Sequence, residues 1–550
     1  MPRVSTDRSV LSSAKLIAVC TLLSRVTGLV RDMLLSYVFG LRYVQDAFNL
    51  AFQIPNLFRR LFGEGALSAA FVPVFSRALE RDGRESAWRL LAATFGWLSV
   101  VLLGLVLALE GALLVVWWCD LTSAGALPIA LTALMLPFAL LVCVLALFSS
   151  ILNCVGSFAA PALVSIVLNM AMIAALLVAP PLLGPERAVW VVAASVPAAG
   201  LLQWLLLVPA LRARGVRLGW SLDRSDARVG DILRRMGPVL LGQGALMLGA
   251  FLDSWMCFLL THVEGTPQTA DWFGLRFEYP LSEGALSAVT VAQRLYQFPL
   301  GVLVISLGTA ALPAFSRLAA REDWGAWREQ TRMLLRLALF EGLLAGAAMI
   351  ALAEPIVRLL FEYGAFEPAA TARAAHVLSG YGWALWAFCA QHIVQRAFYS
   401  MGDTRTPLWI AAGLIPLGLL LNLLLVWMPG VREQAFALSA AIVYALAVIV
   451  GLALLRRRVA GPIADRAFIS AVLRMLICAA VAAGCIFLLR PRWVELLSAA
   501  DLPEVATRAL DVVLGLGASV TVFLAAALML RLPEPGWMWG AVRRRGAKSS

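Results

Sequence analysis

Charged side chains stand inside an apolar run near the start of the sequence. The segment SRVTGLVRD carries Arg25, Arg31 and Asp32 within the longer stretch LIAVCTLLSRVTGLVRDMLLSYVFG. That stretch is long enough to cross a bilayer as a helix, where a charged side chain is costly and usually faces a water-filled cavity. Arginine suits phosphate and carboxylate ligands, because its planar guanidinium forms paired hydrogen bonds with them. The segment therefore indicates an anion-binding cavity.

More charged residues follow in the second and eighth apolar runs. The segment FQIPNLFRRLFGEGALSAAFVP carries Arg59, Arg60 and Glu64, Asp46 lies shortly before it, and VAQRLYQFP carries Arg294. Arg59 and Arg60 are adjacent, so on a helix only one of them points into a given cavity. A second interpretation stays open, in which nearby acids neutralise the arginines and those near helix ends extend to the interface.

Arg25 is the residue that this second interpretation explains least well. It lies about 15 residues, or roughly 22 Å, into the first predicted helix. No acid occurs between Asp7 and Asp32 to pair with it. A permanently charged guanidinium at that depth suggests an anionic ligand.

Three other acids stand in apolar runs of their own. Asp253 lies in MLGAFLDSWMCFLL, and Glu110 and Glu341 lie in the third and ninth runs. Each is a candidate cation or proton site, and each is equally a candidate partner for an arginine or a hydroxyl. The sequence leaves both interpretations open.

Signatures of enzymes and metal centres are missing from the sequence. It has no Walker A segment, no H-E-x-x-H and no G-x-S-x-G, so neither ATP hydrolysis nor hydrolase chemistry is indicated. The eight cysteines form no C-x-x-C pair, and the three histidines do not cluster with them or with acids. The sequence predicts a transporter without a cofactor, and leaves Na⁺ or H⁺ open as a coupling ion.

The apolar runs predict the elements that must position these residues. Hydrophobic residues make up 61% of the 550, above the roughly 45–50% of globular domains. We therefore predict an all-α polytopic membrane protein with about 14 transmembrane helices. The first helix is too long and too charged for a signal peptide and is expected to be retained. The predicted spans are 10–39, 46–76, 90–118, 127–152, 161–183, 188–210, 236–262, 289–316, 333–358, 374–398, 407–428, 435–455, 470–490 and 507–531.

The loops between these spans alternate in basic content. Most lysines and arginines lie in one alternate set of loops and in the two termini, for example RRRVAGPIADR and the tail AVRRRGAK. The positive-inside rule therefore predicts that both termini are cytoplasmic. It also accounts for most of the net charge of +12, which argues against a nucleic-acid partner.

A weak internal repeat divides the chain. The segment FVPVFSRALERDGRESAWRLL resembles ALPAFSRLAAREDWGAWREQ, with Pro73 matching Pro313 and Trp88 matching Trp327. An even number of helices separates the copies, so they run in the same direction, a common transporter plan. We predict an N-terminal lobe at 1–235, a C-terminal lobe at 236–458, and an extra helix pair with a basic tail at 459–550.

Several stretches resemble the MurJ (MviN) family of lipid II flippases, in the multidrug/oligosaccharidyl-lipid/polysaccharide exporter superfamily. The stretches are SRVTGLVRDMLLSYVFG, DAFNLAFQIPNLFRRLFGEGALSAAFVPVFS, QRLYQFPLGVLVISLGTAALPAFSR, FEYGAF and AFYSMGDTRTP. They occur in the family's order between about residues 10 and 530. The resemblance implies two six-helix lobes around a central cavity, plus a C-terminal helix pair that forms a groove for a lipid tail.

The resemblance also implies a function and its residues. It implies export of lipid II, the undecaprenyl-diphosphate-linked disaccharide-pentapeptide, across the bacterial cytoplasmic (inner) membrane for peptidoglycan synthesis. The implied partners are lipid II, membrane lipids and cell-wall synthesis proteins. The implied diphosphate-binding residues are Arg25, Arg31, Arg59 and Arg294. Supporting or gating roles fall to Asp32, Asp46, Arg60 and Glu64.

The chain departs from the family pattern at two points. Gln293 and Gln297 stand where the family's eighth helix often has acids. The loop at 262–288 is longer than usual and is expected to face outward.

Some family members bind sodium in the C-terminal lobe, and the candidate counterparts in this chain are Asp253, Asp403 and Thr404.

Three rival functions stay open at this level. A flippase for another polyprenyl-diphosphate oligosaccharide would need the same arginines. A cation–drug antiporter of the same superfamily would need cavity acids, which the first two helices supply in smaller number than arginines. A non-transporting scaffold for cell-wall enzymes would tolerate loss of the arginines.

Overall fold

A computed structural model describes residues 7–119, 125–223, 226–272, 274–459, 461–500 and 502–537. Within these ranges the chain forms sixteen α-helices and one two-stranded β-hairpin. Nine of the described helical stretches are long and apolar enough to cross a membrane. The predicted fold class, an all-α polytopic membrane protein, is confirmed.

The first compact unit comprises residues 1–259 and 263–265. Two π-helical segments interrupt its α-helices, Arg59–Ala66 between α2 and α3 and Ala78–Asp82 between α3 and α4. The α-helices are α1 Asp7–Phe39, α2 Tyr43–Phe58, α3 Leu67–Arg77, α4 Gly83–Trp118, α5 Ala126–Met135, α6 Pro137–Cys154, α7 Ala159–Leu183, α8 Pro185–Ala213 and α9 Ala227–Leu259.

The second compact unit comprises residues 260–262 and 266–550. It begins with the hairpin of β1 Thr269–Trp272 and β2 Leu275–Glu278, and a short 3₁₀ segment, Arg432–Gln434, precedes α14. Its α-helices are α10 Ala285–Ala320, α11 Trp324–Phe361, α12 Pro368–Ser400, α13 Arg405–Leu425, α14 Ala435–Arg458, α15 Arg466–Ala499 and α16 Glu504–Met529.

Each of the fourteen predicted spans coincides with a helical segment. The second span is divided into α2, the π-helical segment and α3, and the fourth is divided at Leu136 into α5 and α6. Proline explains the second break, because Pro137 starts α6 and proline is favoured in the first helical turn. The lobe boundaries at 235 and 458 stay predictions. The helix α9, which we assigned to the C-terminal lobe, belongs to the first compact unit.

The internal repeat has a physical counterpart in each unit. In the first, the rings of Phe75 and Trp88 lie 6.0 Å apart with their planes at 41°. In the second, the matched rings of Phe315 and Trp327 lie 5.9 Å apart at 37°. All four side chains are buried. The repeated Phe-Ser-Arg and Trp-Arg motifs therefore encode one aromatic contact that joins consecutive helices.

The long loop at 262–288 contains the hairpin β1–β2. Thr269 pairs with Glu278 and Asp271 with Arg276 on its exposed face. On the other face, the ring of Phe277 packs edge-on against Trp427 at 5.7 Å. A polar outer face and an apolar inner face are the usual pattern of an antiparallel hairpin that covers a protein surface.

Within the second unit, arginines on α11 bind the segments that flank the C-terminal helices. Arg328 donates to the Val459 carbonyl, and Arg332 donates to the Ile463 carbonyl and pairs with Asp465. One turn further, Arg336 pairs with the fully buried Glu534 at 2.5 Å. These arginines recur every four residues, so they lie along one face of α11.

The helices α11 and α12 approach each other closely at glycines. A Cβ atom placed on Gly346 would lie 2.5 Å from the Gly382 carbonyl oxygen, and one on Gly342 would lie 2.8 Å from the Trp386 Cα atom. Small residues permit such contact between membrane helices. Their backbones therefore pack directly against each other.

We expect Gly346→Ala to lower the unfolding free energy by ~1–3 kcal/mol, because the added methyl group overlaps the backbone of α12. Gly413→Ala on α13 is the matched control, since a Cβ atom there meets nothing within 4 Å. It should leave stability unchanged or raise it, because alanine favours helices over glycine. Thermal unfolding of the two purified variants in detergent measures the difference, and equal melting temperatures would contradict this packing.

Candidate functional site

The helix α1 presents three different sides. Val19, Val26 and Val30 are exposed on a side about 120° from Arg25. The opposite side, which contains Gly28 and Arg31, packs against α7. Arg25 and Asp32 share a third side, about 20° apart around the helix axis. A charged side that is neither part of the apolar surface nor packed on α7 fits a water-filled space.

Arg31 is buried, and its guanidinium is bonded to neighbouring side chains. Its Nη2 pairs with Asp32 Oδ1 at 2.7 Å, and its Nη1 donates to Asn169 Oδ1 on α7 at 3.1 Å. Its guanidinium also lies 5.6 Å from the centre of the Phe52 ring. Only 8% of Arg31 is exposed. The structure therefore shows Asp32 as the local partner of Arg31. A diphosphate-binding role for Arg31 stays a prediction.

The side chain of Asn169, on α7, forms hydrogen bonds with successive turns of α1. Its side-chain nitrogen donates to the Ser24 carbonyl and to Thr27 Oγ1, both at 3.1 Å, while its oxygen accepts from Arg31. Sequence reasoning missed this residue. The signal was available, because Asn169 is a lone amide in the apolar run VSIVLNMAMIAA, and such amides commonly bond across membrane helices.

Arg25 has a different environment from Arg31. It is exposed, and no residue in the described ranges hydrogen-bonds to its side chain or forms an ion pair with it. It lies 18 residues after the first residue of α1 and 14 before the last, which is near the middle of a span. Its guanidinium can therefore still form paired hydrogen bonds with an anion.

Arg59 and Arg60 begin the π-helical segment. The Arg59 Nε atom donates to Asn56 Oδ1 at 3.0 Å, while Arg60 is exposed. Pro55 removes one backbone donor just before this segment. Single π-helical turns occur often at functional sites. Glu64 lies in the same segment, and its side chain is outside the described part of the structure.

Asp46 lies in the first turn of α2 and is 1% exposed. A carboxylate there is stabilised by the positive end of the helix dipole. Its neighbour Gln45 donates to Ser36 Oγ of α1 at 3.2 Å. Asp46 is therefore a buried group at the joint between α1 and α2, and its gating role stays a prediction.

Arg294 lies in the second unit on an exposed side of α10. The glutamine before it, Gln293, donates to the Tyr381 hydroxyl at 3.0 Å. Tyr296 stacks between Tyr381 and Phe388 of α12, with ring centres 4.5 and 5.0 Å away. The contacts of Gln293 and Tyr296 fix this turn of α10 against α12. Arg294 lies at the surface of its unit.

The candidate sodium ligands have other roles in the structure. Asp403 Oδ1 accepts the amide hydrogens of Arg405 and Thr406, and its Oδ2 pairs with Arg458 at 2.5 Å. Partial burial acts to raise the pKa of Asp403, but the Thr406 hydrogen bonds and the Arg458 charge hold it below its usual value. Thr404 is exposed beside it. Asp403 thus caps the start of α13.

Asp253 lies on α9 in the first unit and is half-buried. Across the described residues, no three histidine, cysteine, aspartate or glutamate side chains are grouped so that they could hold a metal ion. The sodium site therefore stays a prediction.

We expect Arg31→Ala to destabilise the protein and Arg25→Ala to leave its stability unchanged. The first change removes buried hydrogen bonds to Asp32 and Asn169, which corresponds to ~1–3 kcal/mol. The second removes an exposed side chain without a described partner. Thermal unfolding of both variants in the same detergent tests this contrast. A lower melting temperature for Arg25→Ala than for Arg31→Ala would contradict the two environments.

Comparison with known proteins identifies relatives. The family profile described as "Lipid II flippase MurJ" matches residues 35–506. A "Probable lipid II flippase MurJ" from Rhizobium meliloti (strain 1021) is 30% identical over 543 residues, covering 96% of each chain. A "Lipid II flippase MurJ" from Burkholderia cenocepacia is 32% identical over 432 residues, covering 76% of this chain and 78% of that protein.

Solved structures share the fold. A lipid II flippase MurJ in an inward closed conformation matches with a TM-score of 0.71 at 19% identity, over 94% of this chain and 99% of that one. An inward-facing multidrug resistance MATE family transporter matches with a TM-score of 0.63 at 14% identity, over 80% of this chain and 94% of that one. At these identities the likeness concerns the fold alone.

Proposed function

The chain belongs to the lipid II flippase MurJ family, and on this premise we propose that it moves lipid II from the inner to the outer leaflet of the bacterial cytoplasmic membrane. It is a multi-pass membrane transporter and not an enzyme. The substrate carries a diphosphate, two sugars and a peptide, all of which must cross roughly 30 Å of hydrocarbon while the prenyl tail stays in lipid.

The observation that carries the proposal is the environment of Arg25. It is an exposed guanidinium near the middle of α1, on the side away from both α7 and the exposed valines. An unpaired charge at that depth requires water or a counter-ion. A diphosphate supplies the counter-ion, with oxygens spaced to accept two parallel N–H bonds.

The other basic residues take graded roles in this proposal. Arg60 and Arg59, at the start of the π-helical segment, extend the binding surface from α1 to α2. Arg294, in the second unit, is a further predicted diphosphate-binding residue by the family resemblance. Arg31 acts mainly through position, since its hydrogen bond to Asn169 holds α1 against α7 and so orients Arg25. Asp46 and Glu64 tune the charge of the same region.

Transport requires an energy source other than ATP, because the sequence has no ATPase motif. We propose that transport proceeds by alternating access of the binding site to the two sides of the membrane. The membrane potential contributes about 2.3 kcal/mol per charge for each 100 mV, and with the inside negative it favours outward movement of an anion. A coupled ion gradient can add to this.

Both termini lie in the cytoplasm in this scheme, because the basic loops then face inward. Cell-wall synthesis proteins are the expected partners, since they consume the exported precursor.

The rivals differ in what the arginines must do. A flippase for another polyprenyl-diphosphate oligosaccharide uses the same arginines, so the substrate must be varied to separate the two. A cation–drug antiporter is disfavoured because Arg25 and Arg60 are exposed and basic, whereas a cationic drug would need acids. A scaffold needs neither residue for its activity.

We expect Arg25→Ala to reduce lipid II export by about 10–100-fold. A charge-assisted hydrogen bond contributes roughly 1.5–3 kcal/mol, and each 1.4 kcal/mol is about a factor of ten. Arg25→Lys should recover part of the activity, because it keeps the charge but loses the planar fork. Growth of cells depleted of their own lipid II flippase, with the level of inserted protein measured, tests both variants.

The matched control is Arg187→Ala, which removes an exposed arginine at the start of α8. It should support growth like the unchanged protein. Normal growth with Arg25→Ala at equal protein level would refute the proposed role of Arg25. Accumulation of a different polyprenyl-diphosphate sugar, with lipid II unaffected, would favour the related flippase instead.

A further inference from the structure

Glu341 is an acid whose environment differs from that of the other buried acids in the second unit. It lies on α11, 17 residues after Trp324 and 20 before Phe361, so its carboxyl group is near the middle of the span. Its Oε2 atom is buried and has no hydrogen-bond partner among the described residues. Its surroundings in sequence, LALFEGLLAG, are apolar.

Five other acids in this unit that are largely buried pair with an arginine. Glu534 pairs with Arg336, Asp511 with Arg490, Glu433 with Arg373, Glu362 with Arg508 and Asp403 with Arg458. These pairs are the arrangement by which a buried carboxylate keeps its charge. Glu341 has no ion pair in the described structure.

The repeat shows that packing does not require an acid at this position. Trp327 matches Trp88, and the same offset of 239 residues places Glu341 opposite Leu102 in the first unit. Leu102 is 1% exposed, so an apolar side chain fits the corresponding place in α4. The carboxyl group of Glu341 is therefore an addition that the repeated fold does not need.

The neighbours of Glu341 hold its position. The preceding residue, Phe340, packs edge-on against Phe523 of α16 at 4.9 Å. The following residue, Gly342, lies against α12, where a Cβ atom would be 3.0 Å from Cys389 Sγ. The backbones on the α12 side are in direct contact at Gly346 and Gly382. These contacts fix the backbone of α11 on both sides of Glu341.

On α12, the thiol of Cys389 interacts electrostatically with Glu341, and the same helix carries His392 and Arg396 one and two turns further along. By sequence, α10 has no ionisable residue after Tyr296 until Arg317, and α16 has none after Asp511. Between Arg474 and Arg490, α15 contributes only Cys478 and Cys485. Among the described residues, none of these cations forms an ion pair with Glu341.

A proton suits this site better than a metal cation. A dry, unpaired carboxylate oxygen in hydrocarbon is several kcal/mol unfavourable, whereas a neutral carboxyl group is not. Sodium would need several oxygen ligands, as hard cations do. The titratable neighbour is a thiol, which hard cations do not prefer, and no three-ligand group occurs in the described residues.

We propose that Glu341 is the proton-carrying site of the transport cycle, so that lipid II export is coupled to inward movement of a proton. This rests on the proposed function. The Glu341 carboxylate takes one proton from the outer aqueous phase and becomes a neutral carboxyl group. The neutral form is stable inside the closed α11–α12 contact, and the same proton leaves to the cytoplasm when the site opens inward. No covalent bond other than the O–H bond forms or breaks.

The first experiment measures protonation directly, without transport. The purified chain in lipid nanodiscs is titrated with acid and base while infrared difference spectroscopy follows the carbonyl stretch of a protonated carboxyl group. We expect a band that Glu341→Gln and Glu341→Leu both remove. Glu341→Leu carries the residue of the matched position in the first unit, so it should fold normally by thermal unfolding.

The matched control for spectroscopy and transport is Glu110→Gln. Glu110 is the other glutamate in an apolar run, on α4 in the first unit, and it is half-exposed. Its substitution should leave the Glu341 band unchanged. A band that survives in both Glu341 variants would overturn the proposal, and so would a Glu341 carboxyl group that stays ionised across the titration.

The second experiment measures coupling. Proteoliposomes containing fluorescently labelled lipid II are given a pH gradient, acidic on the outer face of the protein. We expect the gradient to accelerate export by the unchanged protein and by Glu110→Gln. In Glu341→Gln the acceleration should fall by about tenfold or more, within the usual range of coupling between two sites.

The two experiments separate failure of the inference from failure of the function. If the unchanged chain moves lipid II but Glu341→Gln responds to the gradient as the unchanged chain does, the coupling role is wrong and the flippase function stands. If the unchanged chain moves no lipid II, the proposed function fails and with it the coupling role. The spectroscopic titration would still decide whether Glu341 binds a proton.

Discussion

The cost of an unpaired charge in hydrocarbon governs this structure more than any other interaction. The buried Arg31 gives its hydrogen bonds to an acid and an amide, Asp32 and Asn169. An ionised or ionisable group without such a partner is an exception that must meet water, a ligand or a proton. Arg25 and Glu341 are two exceptions of this kind, one in each unit.

The two exceptions fit the two requirements of a transporter. Arg25 is exposed on a charged side of α1, so it is available to an anionic headgroup. Glu341 is half-buried among apolar and small residues, so its charge state depends on whether its surroundings are open to water. The proposed binding group keeps its charge, whereas the proposed coupling group changes its charge. The cost of an unpaired charge in hydrocarbon explains both, because the two groups are buried to different degrees.

The fold supplies rigid supports for both groups. Asn169 holds α1 against α7 through bonds at Ser24, Thr27 and Arg31, so the position of Arg25 is fixed by the turns on either side of it. In the second unit, glycine contacts join α11 to α12, and the arginines in the N-terminal half of α11 join it to the C-terminal helices. Arg328 and Arg332 bind backbone carbonyls before α15, so the helix pair is attached to α11 by hydrogen bonds as well as by apolar contact.

The amino-acid sequence alone determined the class of the protein, its fourteen helical segments, its repeat and its family, because hydropathy, proline breaks and local motifs are properties of consecutive residues. It also singled out Arg25 as the arginine without a nearby acid in sequence, and its role stays a prediction. Only the tertiary structure decided which charged groups are paired, because partners such as Asn169 for Arg31 and Arg458 for Asp403 are distant in the chain. It likewise separated Arg25 from Arg31, and Glu341 from Glu110, since residues with similar sequence surroundings differ in what packs against them.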